Sequence, residues 1–170
     1  MRHIRAYSTA LSLMAYLTIC FYTIPYAKMA AIEDSPPIVA AKKFDKKEMV
    51  CLAKNIFFEA RGTDEAEMIR VINVTTNRVK LSGDSYCGVV YRPGQFSWTF
   101  DLIKNNIGNF INHTLEAKAW DKAKELATYQ LAYGFKDTTD GSLFYHAYYV
   151  NPHWPYQETV ASNYHIYYRP

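Results

Sequence analysis

An acid interrupts the apolar stripe of the first amphipathic segment in this chain, and the domain around it has to accommodate that acid. From about Lys46 the sequence reads as a helix, in which Leu52, Ile56 and Glu59 fall four and three residues apart. At roughly 100° per residue, this spacing puts the carboxylate on the same side as the aliphatics. A carboxyl that loses water there is biased toward its proton-bearing form near neutral pH, the state a general acid needs. The same position also suits a structural ion pair with Arg61 at the helix end, because such pairs perturb acids too. The helix alone leaves both readings open.

Residues 1–31 hold Arg2, Arg5 and Lys28 but no acid, and Ala6 to Ala27 carries no charge. This is the pattern of a signal peptide or an N-terminal membrane anchor. The uncharged stretch is long for a signal core, yet its serines, threonines and Pro25 make it a poor spanning helix. Cleavage near Ala27 to Ala31 and retention as an anchor both fit. Residues 32–45, with Pro36 and Pro37, read as an extended linker. Without the leader's three cations the body has 16 basic and 16 acidic residues, so the net charge of +3 belongs wholly to the leader. A formally neutral body excludes nucleic-acid binding through an overall basic surface. The expected setting is exported: periplasmic, cell-envelope or secreted, with membrane contact only through the N-terminal segment.

Cys51 and Cys87 are the two cysteines beyond the leader. In an exported protein an even pair outside any C-x-x-C spacing predicts a disulfide. Residues 46–170 are long enough for one domain with its own core, and a monomer is expected. Asp64, with Glu67 three residues on, has the form of a helix N-cap and its reaching acid. The helix that follows should bury Ile69, Ile72 and Val79 and stop at Ser82, Gly83 and Asp84. Two short extended pieces around Pro93 and Gly94 predict a β-hairpin over Gly88 to Trp98. A long helix is expected from about Thr114 to Gly134, burying Leu115, Ala119, Ala123 and Leu126. Aromatic-rich short strands follow at Leu143 to Val150 and at His165 to Tyr168. This is a helix-dominated α+β outline.

Several segments carry a family resemblance: Glu59 to Gly62, then Asn77, Arg78 and Val79, then Val89 through Gln95, Phe96, Ser97 and Trp98, and finally Tyr145 and His146 through Pro152, Trp154 and His165 to Tyr168. In their order and spacing they resemble the SleB/CwlJ type of cell-wall hydrolase, the spore-cortex-lytic family with bacterial and phage members. The resemblance spans about Glu48 to Arg169. It implies a lysozyme-like two-lobed domain in which short antiparallel strands and the hairpin line a cleft opposite the glutamate. Three positions depart from the family's habit: Phe57 stands where Tyr is common, Thr63 where an acid is common, and Glu67 where a Gly is common. The loss of the acid at Thr63 weakens any mechanism needing a second carboxylate from that loop.

Glycosidic cleavage requires a proton for the leaving oxygen and a way to trap an oxocarbenium-like centre. Glu59 fits the acid. As a second carboxylate, Asp64, Glu65, Asp84 and Asp101 are the candidates, none of them in a comparably apolar setting. The resemblance implies a lytic transglycosylase that cuts between N-acetylmuramic acid and N-acetylglucosamine, with one glutamate acting as acid and then as base. Gln95 and Ser97 are candidates for holding a sugar acetamide, and Tyr145, His146, Tyr148 and Trp154 for lining the sugar site. Strand alternation puts Tyr145 and Tyr149 on one face and His146 and Tyr148 on the other. Asn77 and Arg78 read as a helix-terminal cation and capping amide. His146, His153 and His165 lack the spacing of a zinc motif, so neither metal nor cofactor is expected. Two alternatives stand beside the glycosidase: a zinc-dependent N-acetylmuramoyl-L-alanine amidase and a non-catalytic peptidoglycan-binding module.

Overall fold

The computed structural model describes residues 43–100, 106–109, 111 and 114–170, all within a compact unit spanning Ala40–Pro170. The leader and most of the linker lie outside the described residues. Helix α1 covers Lys46–Ala60 and begins where the Asp45 carboxylate accepts the Lys47 N–H at 2.8 Å. Helix α2 covers Glu65–Ser82, opened by Asp64 accepting the Glu67 N–H at 2.8 Å and closed by Gly83 at φ 70°. That positive φ costs glycine nothing and lets its N–H reach the Val79 carbonyl. The short helix α3, Tyr86–Val90, is capped by Ser85. After two 3₁₀ turns at Ser97–Phe100 and Ile107–Asn109 comes α4, Thr114–Ala132.

The expected hairpin at Gly88 to Trp98 is not formed. Ser85 caps the first piece into a helix, and the Tyr91 N–H bonds the Cys87 carbonyl instead of a partner strand. The Pro93–Gly94 turn exists, with the Gln95 N–H reaching the Arg92 carbonyl, but it joins a helix to a 3₁₀ turn. A tight turn satisfies its own backbone and does not dictate what flanks it.

The main core joins α1, α2 and α4 through Leu52, Ile56, Phe57, Val71, Ile72, Trp120 and Leu126, among others. Two expected faces rotate. Helix α2 buries Met68, Val71 and Ile72 while Ile69 is half-buried, and α4 buries Trp120 and Ala123 while Leu115 is 80% exposed. The large indole at position 120 buries more area than any alternative on α4, so it sets which way that helix faces. A smaller cluster of Val90, Phe96 and Trp98 packs against Phe58 of α1, whose ring stacks on Trp98 at 4.8 Å. The Cys51–Cys87 disulfide joins α1 to α3.

Strands β1, Phe144–Ala147, β2, Gln157–Ala161, and β3, His165–Arg169, form an antiparallel sheet in the order β1-β3-β2. The register sets Tyr145 opposite Tyr167 and His146 opposite Ile166. The chain is thus helix-dominated α+β with one small sheet. Strand β2 was not expected: its Gln-Glu-Thr-Val-Ala sequence is short and polar, as edge strands often are.

Candidate active site

Glu59 is the penultimate residue of α1, half-buried, and its carboxylate accepts the Tyr145 hydroxyl at 2.9 Å. Burial raises its pKa above the usual carboxylate value; the Tyr145 hydrogen bond and the charges of His165 and Arg78 pull the other way without cancelling it. Burial likewise pushes the Tyr145 phenol well above its ordinary value, with the Glu59 carboxylate adding to the effect, so Tyr145 remains a hydrogen-bond donor. Arg61 does not pair with Glu59. It lies over Phe57, 5.0 Å from the ring centre, and pairs with Glu116 at 3.5 Å.

Glu59 opens onto a cavity of about 130 Å³ lined by Arg78, Gln95, Phe96, Ser97 and Tyr145. The turn before the first 3₁₀ segment and that segment itself bring Gln95 and Ser97 there, and β1 brings Tyr145. Arg78, expected to be a helix-terminal cation, belongs to this cavity instead. Helix α2 continues a full turn past it to Ser82, and its Nε donates to the Leu143 carbonyl at 2.7 Å. Its guanidinium lies 5.3 Å from the Phe96 ring centre, and Nη1 is buried without a hydrogen-bond partner. Asn77 likewise caps nothing; it donates to Asp137 at 2.9 Å and to the Ser142 carbonyl, pinning the loop that follows α4 to α2.

The other sugar-site candidates face elsewhere. His146 bonds the Tyr168 hydroxyl at 3.0 Å and joins Phe144, Trp154, Tyr156 and Tyr168 in an aromatic cluster on the sheet face opposite Tyr145. Tyr148 and Tyr149 lie beyond β1 and pack on each other, both exposed, so strand alternation does not reach them.

Glu67 is a further residue that sequence reasoning placed wrongly. Its backbone N–H is capped by Asp64 as expected, but its side chain is fully buried and does not reach back to the cap. One oxygen accepts the Tyr167 hydroxyl at 2.6 Å and meets His165 Nδ1 at 2.6 Å, and Arg70 holds the other at 3.0 Å. Burial alone would raise its pKa, yet the hydrogen bonds from His165, Tyr167, Ser162 and Arg70 hold it below the usual value. The His165 ring packs edge-on to Tyr145 at 5.0 Å, so this cluster backs the residue that touches Glu59.

Of the candidate second acids, Asp64 caps α2, Glu65 pairs with Lys122 and Asp84 pairs with Arg92. Asp101 lies outside the described residues. No described group of three His, Cys, Asp or Glu side chains is placed to hold a metal ion.

Residues 62–168 match the family model described as Cell Wall Hydrolase, and the chain belongs to that family. It is therefore an enzyme acting on the cell wall, and an extracytoplasmic setting agrees with its disulfide. The match contains Arg78, Gln95, Ser97 and Tyr145 and begins three residues after Glu59. No curated protein and no solved structure matches the chain. Among the described residues, no helix is long and apolar enough to cross a membrane.

Proposed function

We propose that this enzyme cleaves peptidoglycan between N-acetylmuramic acid and N-acetylglucosamine as a lytic transglycosylase, outside the cytoplasm and as a monomer. The observation that carries the reading is Glu59: a carboxyl biased by burial toward its protonated form, opening onto a polar cavity, with Tyr145 on one of its oxygens. In the first step the Glu59 proton passes to the glycosidic oxygen as its bond to the muramoyl anomeric carbon breaks. Tyr145 then stabilises the carboxylate left behind. In the second step that carboxylate takes the proton of the muramoyl 6-hydroxyl, whose oxygen closes on the anomeric carbon. The product is a 1,6-anhydro sugar, and no water is consumed. Gln95 and Ser97, which line the cavity beside Glu59, hold the acetamide in this reading.

Mass spectrometry of fragments released from purified sacculi tests this. Anhydromuramoyl ends are expected. Ends heavier by one water would mean hydrolysis and would send the search to a second acid such as Asp101. Free stem peptides beside intact glycan would mean an amidase, and binding without any release would mean a wall-binding module.

A further inference from the structure

We infer that Arg78 is a substrate-recognition residue for the free carboxylate of the muramoyl lactyl group, making peptide-free glycan the preferred substrate; this rests on the glycosidase reading of the cavity.

The cavity's size sets the first limit. At about 130 Å³ it is too small for a disaccharide and takes the side groups of one sugar. A pyranose ring has to lie across its mouth, with its side groups pointing in. The second limit is the unspent capacity of Arg78. Its Nε is satisfied by the Leu143 carbonyl, Nη1 is buried without a partner, and no described acid lies within ion-pair distance. A guanidinium has five donors in a planar fork suited to a carboxylate, and a buried cation short of acceptors favours whatever ligand completes it.

Charge decides which of those side groups meets Arg78, the acetamide being left to Gln95 and Ser97. While Glu59 carries its proton, Arg78 leaves the cavity positively charged beside a centre that becomes oxocarbenium-like. Such a cation opposes the positive charge that develops on the sugar; the carboxylate forming on Glu59 offsets it in part, and a neutral acetamide adds nothing. A substrate carboxylate on Arg78 offsets it directly. It also removes one of the charges that hold the Glu59 pKa down, keeping the acid loaded. Peptidoglycan offers the carboxylate of the lactyl group, once its peptide has been removed, and the several carboxylates of the stem peptide. Only the lactyl group is attached to the sugar ring on which Glu59 acts. A reaction that strips peptides from the glycan must then precede this one.

The test compares kcat/KM for three forms of the same glycan strands: peptide-bearing, peptide-free, and peptide-free with the lactyl carboxyl capped as its methylamide. The peptide-free acid should be cut about 10- to 100-fold faster than either other form, the range for a hydrogen-bonded ion pair. Arg78→Gln should bring that ratio to within about twofold of unity, and because the ratio is internal it does not depend on how much folded protein the variant yields. If the variant does not fold, the wild-type ratio decides by itself. Equal rates on the acid and its methylamide overturn the inference, and so does faster cutting of peptide-bearing strands, which would point to recognition of the stem peptide. Those results leave the glycosidase reading standing. Failure to cut the glycan of any form removes both.

Discussion

Tyr145 donates to the carboxyl of Glu59, and that hydrogen bond lowers the pKa that burial has raised. Tyr145→Phe should therefore let Glu59 keep its proton to higher pH. The alkaline limb of kcat/KM, where the acid form is lost, should move upward in a pH–rate profile even as the rate falls; a limb that stays put or moves down would refute the link. Glu59→Gln should cost about 10²- to 10⁴-fold in sacculus clearing with an unchanged circular dichroism spectrum, since the amide keeps the size and polarity but carries no proton. The position of Glu59 was legible because helical periodicity is local and an acid on an apolar stripe violates it. Arg78 was not, because its destination depends on Leu143 and Phe96, which only the folded chain brings near.

Helix ends were equally readable. Asp64 and Gly83 each act through backbone groups within four residues of themselves, and such signals survive whatever the rest of the chain does. The segment between Ser85 and Trp98 was misread for the converse reason: strands need a partner that local sequence does not name, and here both flanks closed their hydrogen bonds internally. The Cys51–Cys87 bond makes that segment an appendage of α1, closing a loop with a sequence separation of 36. Replacing both cysteines by serine should lower stability by about 2–4 kcal/mol, read from urea unfolding with unreduced wild type as reference. Two free thiols in the active wild-type enzyme, found by mass analysis, would remove the premise.

Across the whole molecule, Glu67 couples α2 to β3, 98 residues away in sequence. Because its pKa is lower folded than unfolded, the unfolded chain binds more protons between the two values, and stability is lost as pH falls through the folded value. Glu67→Gln should remove this acid-side slope while costing about 1.5–3 kcal/mol near neutral pH, the range for hydrogen bonds to a charged group. Thermal melts across the acid range would show it; a variant with an undiminished slope would place the titration elsewhere. Nothing near Glu67 in sequence announced this role, since both hydroxyl and imidazole partners come from the far end of the chain.

The strand order β1-β3-β2 gives that far end a further consequence. The third strand made is the middle one in space, so β1 and β2 have no contact in the sheet except through it. A chain emerging N-terminus first can assemble α1, α2 and α4 early, yet Tyr145 has no strand to pair with until His165 to Arg169 have arrived. The position of Tyr145, and with it the hydrogen bond to Glu59, therefore depends on β3.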